Sequence, residues 1–203
     1  VMLVGLIAAA IASHCYDGKC KPANTDFVAG LDPSEAYMVE DNGGVFRRLD
    51  SSPVNSLLVA KENGYKWIRL RVMVEPTGAY GLAQDLDYVL RMARDVKKHK
   101  MKFLLDFHYS HWWADGNNQW TPDHWRTENN NTDVSMEELT QHVFDYTHRV
   151  MQVLKDENAM PDAVQVGNEI AAGMLWGHGK LPKHWDNNLE NLPQSWYNLA
   201  ALI

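Results

Sequence analysis

Residues 66–74 read Lys66-Trp67-Ile68-Arg69-Leu70-Arg71-Val72-Met73-Val74. Side chains of a strand alternate between its two faces, so Ile68, Leu70 and Val72 share one face and Arg69 and Arg71 the other. The aliphatic face suits packing on helices. The arginine face needs partners. A second run, residues 101–109, "MKFLLDFHY", repeats the arrangement with Asp106 and His108 two apart. A third, residues 163–168, is apolar and ends in Asn168, followed at once by Glu169.

Helical patterns separate these runs. Residues 85–99 carry Leu86, Val89, Leu90, Ala93 and Val96 on one helical face. Ser135-Met136-Glu137-Glu138 reads as a capping box, and Leu139, Val143, Tyr146, Val150 and Leu154 follow on one side. Upstream, residues 27–31 are a short strand candidate. Ser52-Pro53 then starts a helix by N-cap and first-turn logic, and Asn63-Gly64 ends it. The last twelve residues, "LPQSWYNLAALI", begin another helix. The order β-α-β-α-β-α-β-α predicts an α/β protein with a parallel sheet and helical crossovers. Two architectures fit, an open doubly wound sheet and a (β/α)8 TIM barrel. No glycine-rich phosphate loop follows the first strand, which weakens the nucleotide-binding version of the former. A barrel takes about 250 residues. Four visible strands predict roughly its first four βα units.

The chain has 203 residues, 45% hydrophobic and 22% charged, within the range of a globular domain. Its formal charge of −7 argues against nucleic acid or an anionic membrane as partner. Residues 1–12, "VMLVGLIAAAIA", read as a clipped signal peptide with Ala10-Ile11-Ala12 as its cleavage site; a buried helix or short anchor is the alternative. Residues 13–25 form a polar linker, and 26–203 the N-terminal half of the barrel. A secreted, periplasmic or cell-surface location follows, with no membrane contact after cleavage. In an exported chain Cys15 and Cys20 suit a small-loop disulfide, with no catalytic part. Asn130-Asn131-Thr132 matches a glycosylation sequon.

The chemistry gathers at strand ends. A buried Arg69, Arg71 or Asp106 needs an opposite charge. These residues form either an internal salt-bridge network or the wall of a pocket at the C-terminal mouth, where barrel enzymes place their catalytic residues. Glu169 beside Asn168 at a strand terminus is the strongest catalytic candidate. Tryptophan crowds the following loops: Trp112, Trp113, Trp120 and Trp125, then Trp176, Trp185 and Trp196, with only Trp67 in a strand. Such rings either stack on sugars or make small clusters under long loops. Trp113, Trp176 and the nearby carboxylate Asp115 are taken as substrate-binding candidates. Nine histidines include no set with zinc-motif spacing, so no metal and no cofactor are expected.

The strings "RLRVMVEP", "LLDFHYSHWWAD", "FDYTHRV" and "VQVGNEIAAGMLW" together resemble the glycoside hydrolase family 53 endo-β-1,4-galactanases, from about residue 27 onward. The resemblance implies a (β/α)8 barrel that cuts β-1,4-galactan in arabinogalactan and pectin. It implies that Glu169 is the general acid/base and that Asn168 holds a sugar 2-hydroxyl. Arg71 and His108 would line the same pocket, and Arg69 is the less secure of the arginines. The family nucleophile is on the seventh strand, so residues 1–203 are expected to be an inactive fragment. The chain departs from the family pattern at Met73 and Glu75, at His111-Trp112-Trp113, and at Gly116, where proline is common.

A retaining glycosidase needs a protonated acid, and partial burial at a strand end is expected to keep Glu169 neutral. Rival readings are another retaining endo-glycanase, acting on mannan or β-glucan, and a non-catalytic carbohydrate-binding protein.

Overall fold

The computed structural model describes residues 15–16, 19–20, 28–126, 134–182 and 192–203. The segment 1–12, the sequon at Asn130 and Trp185 lie outside them, as do parts of the linker. A short antiparallel ribbon, β1 (Cys15–Tyr16) and β2 (Lys19–Cys20), sets Cys15 opposite Cys20 along the backbone; the expected disulfide lies outside the described side chains.

The main sheet is parallel: β3 (Gly30–Leu31), β4 (Trp67–Val72), β5 (Lys102–Phe107) and β6 (Ala163–Val166), in that spatial order. Helices α1 (Ala36–Asp41) and α2 (Ser56–Glu62) connect β3 to β4. Helix α3 (Leu86–Lys98) connects β4 to β5, and α4 (Met136–Asp156) connects β5 to β6. Helix α5 (Leu192–Leu202) follows β6. A doubly wound sheet reverses its strand order at a switch point. Here every strand lies beside its sequence neighbour, which is barrel order, and the chain forms four consecutive βα units.

The alternation in β4 divides the sheet as its sequence predicts. Ile68, Leu70 and Val72 lie in register with Phe103, Leu105 and Phe107, and all six are buried. Against them pack Val89, Ala93 and Val96 of α3 and Leu139, Val143, Tyr146, Val150 and Leu154 of α4. Each large apolar side chain so buried contributes about 1.5–3 kcal/mol, making this layer the main source of stability. The helices begin where caps are available. Asp85 accepts from Tyr88 N at 2.8 Å to start α3. Ser135 and Glu138 form the expected capping box of α4.

Two local expectations need correction. Helix α2 starts after Asn55, not at Ser52-Pro53: Asn55 Oδ1 accepts from the amides of Leu57 and Leu58, and Glu40 accepts from Ser56 N at 2.8 Å. Ser52 Oγ instead donates to Asp50 at 2.6 Å, and Pro53 joins a backbone bridge with Arg47. Helix α1 has no counterpart in the sequence reading. Its Tyr37 is buried and donates to Asp95 of α3 at 2.5 Å.

Candidate active site

The other face of the sheet carries the polar residues. Arg71 lies in register with Asp106, and Asp106 with Gln165. Arg69 is the hub. One guanidinium nitrogen meets Asp32 Oδ2 at 2.5 Å; another meets Asp106 Oδ2 at 2.6 Å and donates to Asn168 Oδ1 at 2.8 Å. One side chain from β4 thus ties together β5 and the loops after β3 and β6. Arg71 reaches Glu35 Oε1 at 2.5 Å, and its guanidinium lies 4.7 Å from the Trp113 ring centre.

Asp32 accepts from Ser34 Oγ at 2.5 Å. Burial pushes its carboxyl pKa upward, but the Ser34 hydroxyl and the charges of Arg71 and Arg69 outweigh burial and hold it below the usual aspartate value. Asp106 is 0% exposed and lies beneath the arginines, away from solvent. His108 is buried too. Its Nδ1 accepts from Ala114 N at 3.3 Å, so the neutral ring carries its proton on Nε2, 3.0 Å from Asp106 Oδ2 but poorly aligned for a hydrogen bond. Trp113 meets the His108 ring edge to face at 6.2 Å.

Strand β6 stops at Val166, and the next three residues make a strained turn. Gly167 has φ 76° and Glu169 φ 50°. A Cβ on Gly167 would come within 2.6 Å of Ile170 Cγ2, so glycine is required there. In this chain Glu169 is exposed at the end of the turn, where the sequence reading expected partial burial. Its Oε2 accepts from Gly116 N at 3.1 Å, a bond that a proline at 116 could not make. Asn168 Nδ2 donates to Ala114 O at 2.7 Å, leaving one amide hydrogen for a ligand.

Asp115 is occupied with its own turn. Its Oδ1 accepts from Asn117 N at 2.6 Å and Asn118 N at 3.0 Å. The Asn118 side-chain amide, helped by both backbone amides, holds its pKa low against the effect of burial.

The tryptophans separate into two groups. Trp125 is 5% exposed, stacks on His142 at 5.4 Å and belongs to the core. Trp112 and Trp120 stack at 6.0 Å, and Trp120 is 42% exposed. The backbones of Trp120 and Trp176 form a parallel bridge, and Trp176 N donates to Gln119 O at 2.6 Å. Trp176 Nε1 donates to Ala172 O at 3.1 Å, with Lys180 Nζ 4.5 Å over its ring. Trp196, on α5, is exposed. Beyond Trp176 the chain doubles back so tightly that a Cβ on Gly173 would lie 1.9 Å from Gly179 O.

The structure therefore brings Arg69, Arg71, Asp106, His108, Trp113, Asn168 and Glu169 together, with Asp115 and Trp176 in the loops around them. Sequence reasoning missed Asp32, Glu35 and Gln119. The first two had a signal: Asp32-Pro33-Ser34-Glu35 directly follows a strand end, as Glu169 does. Gln119 had none in its polar loop. It is 2% exposed, and Nε2 donates to Asn168 O at 2.6 Å and to Asp115 O at 3.1 Å.

Residues 28–201 match the family model described as glycosyl hydrolase family 53. An "uncharacterized protein in bgaB 5'region" of Niallia circulans is 37% identical over 177 residues, covering 87% of this chain and 45% of that protein. A "probable arabinogalactan endo-beta-1,4-galactanase A" of Aspergillus tubingensis is 36% identical, covering 78% of this chain and 42% of that protein. The chain thus spans somewhat under half the length of these curated relatives. The solved Ignisphaera aggregans GH53 catalytic domain is 35% identical with a TM-score of 0.72, covering 87% of this chain and 47% of that one. Because the family match takes in every strand of the parallel sheet and each loop that frames Glu169, this chain belongs to glycosyl hydrolase family 53.

Proposed function

We propose that this chain carries the acid/base side of a retaining endo-β-1,4-galactanase acting on pectic galactan or arabinogalactan, with Glu169 as the acid/base. One observation carries the reading: an exposed carboxylate on a left-handed turn at the C-terminal end of a parallel strand, one oxygen held by Gly116 N–H, beside an asparagine fixed by Arg69. The names of relatives such as the Aspergillus tubingensis protein support galactan as substrate.

In this reading Glu169 gives its proton to the glycosidic oxygen as the bond breaks, then takes one from the water that hydrolyses the glycosyl-enzyme. The remaining amide hydrogen of Asn168 holds the 2-hydroxyl. Arg71, His108 and Trp113 wall the sugar pocket, and Trp176 offers a ring face to a neighbouring unit. Arg69 and Asp106 act from behind, by holding Asn168. Asp115 shapes the loop that supplies Gly116. Retention also needs a second carboxylate about 5–5.5 Å away. Asp106 is buried against Arg69, Glu35 pairs with Arg71, and Asp115 caps its own turn, so none of these serves. The family resemblance points to a later strand for it. A polymer substrate calls for a secreted or cell-surface enzyme. No helix among the described residues is long and apolar enough to cross a membrane.

The test is Glu169→Gln in the protein expressed from the gene encoding this chain. Turnover of β-1,4-galactan should fall about 10²–10⁴-fold with the circular dichroism spectrum unchanged. Near-normal turnover removes Glu169 from the role. Preferred cleavage of mannan or β-glucan by the unmodified protein removes galactan.

A further inference from the structure

We infer that Gln119 is the positioning residue for the acid/base carboxylate, an inference that rests on the role proposed for Glu169. The turn from Gly167 to Glu169 has two residues with positive φ, and such a turn persists only where its surroundings hold it. The Gln119 side chain supplies that hold. Its Nε2 is buried among three carbonyls: Asn168 O at 2.6 Å, Asp115 O at 3.1 Å and Glu169 O at 3.5 Å. A primary amide has two hydrogens, so the two shorter contacts take them and the third is marginal.

The bond to Asn168 O decides the geometry. That carbonyl belongs to the planar peptide joining Asn168 to Glu169, so fixing the oxygen fixes the plane from which the Glu169 side chain departs. The bond to Asp115 O anchors the same amide to the loop whose next residue, Gly116, donates to Glu169 Oε2. Gln119 also accepts from Trp176 N through its own carbonyl, so backbone and side chain together join the two loops. Without the amide, the Asn168 carbonyl loses its short partner and the peptide is free to rotate. The carboxylate then leaves the line of the glycosidic oxygen while Arg71, His108 and Trp113 keep their places.

Gln119→Leu removes both donors with little change in size, and Gln119→Met is the second variant should the leucine protein fail to fold. Each is assayed in the protein expressed from the gene, beside Glu169→Ala, on β-1,4-galactan and on a dinitrophenyl β-1,4-galactobioside. The dinitrophenolate leaves without protonation, so kcat/KM on that probe is insensitive to a misplaced acid. Gln119→Leu should lower kcat/KM on galactan about 100-fold, the cost of misplacing a catalytic group by about 1 Å. On the aryl probe the loss should stay within about threefold, since no acid is needed there. Equal losses on both substrates mean a structural residue and overturn the inference, as does an unchanged rate on galactan. If Glu169→Ala itself shows no difference between the substrates, the assignment of Glu169 is wrong. If Glu169→Ala shows the difference and the Gln119 variants do not, only the inference about Gln119 falls.

Discussion

Replacing Asp106 by leucine tests whether the cluster around Arg69 holds the site together. The carboxylate is wholly buried and gives Arg69 a contact at 2.6 Å. Breaking a buried ion pair from one side costs about 3–5 kcal/mol, because the remaining charge is left uncompensated. Here the lower end applies. The Arg69 side chain is 27% exposed and keeps Asp32 at 2.5 Å and Asn168 at 2.8 Å. A loss of about 3 kcal/mol in a domain of this size lowers the melting temperature by roughly 6–12 °C. Thermal and urea unfolding of Asp106→Leu, Arg69→Met and the double variant give the measurement. Removing both charges should cost clearly less than the sum of the single losses, since neither partner is then stranded. A single-variant loss below about 1 kcal/mol, or strictly additive losses, would refute the argument, because a coupled buried pair cannot behave so.

Three further expectations follow from the geometry of the site and its loops. The Asp32 pKa is depressed from the ordinary 3.8, so its stabilisation is present above that value and is lost as pH falls through the lower folded value. Asp32→Asn should therefore be less stable at pH 6, with the gap closing below about pH 3.8; urea midpoints showing a constant gap would contradict this. Trp113→Ala and Trp176→Ala should weaken galactooligosaccharide binding about tenfold each by calorimetry. Trp125→Ala should instead cost about 3–5 kcal/mol of stability, and unchanged stability there would undo the division of the rings.

The sheet was legible because alternation in residues 66–74 and 101–109 is a local property, and the capping box before α4 is equally local. The start of α2 was not, because Ser52 and Asn55 are both competent caps. What favours Asn55 includes Glu40, which takes the Ser56 amide from the preceding helix. Arg69, Arg71 and Asp106 could be placed on one face from period alone, but Asp32, the partner that the two arginines share, arrives from another strand end. The turn that carries Glu169 contains two positive-φ residues that alternation does not reveal. Trp125 and Trp176 look alike in sequence, both following a strand in a polar loop. Packing against His142 and Tyr146 in the core separates the buried ring from the one at the rim.

The close approach of Gly173 to Gly179 limits how the mouth can be re-engineered. A side chain at 173 collides with the Gly179 carbonyl, and one at 179 would meet Met174 O at 2.1 Å and Leu202 Cδ1 at 2.7 Å. Two of the three atoms just named belong to backbone that a rotamer change cannot clear. Saturation libraries aimed at new sugar specificity through the loop after β6 gain nothing from varying either codon. Gly116 differs: its new Cβ would meet only Glu169 Oε2, at an ordinary 3.9 Å. Diversity is better directed there and to the exposed ring of Trp120, where replacements alter the lining of the mouth without forcing its frame apart.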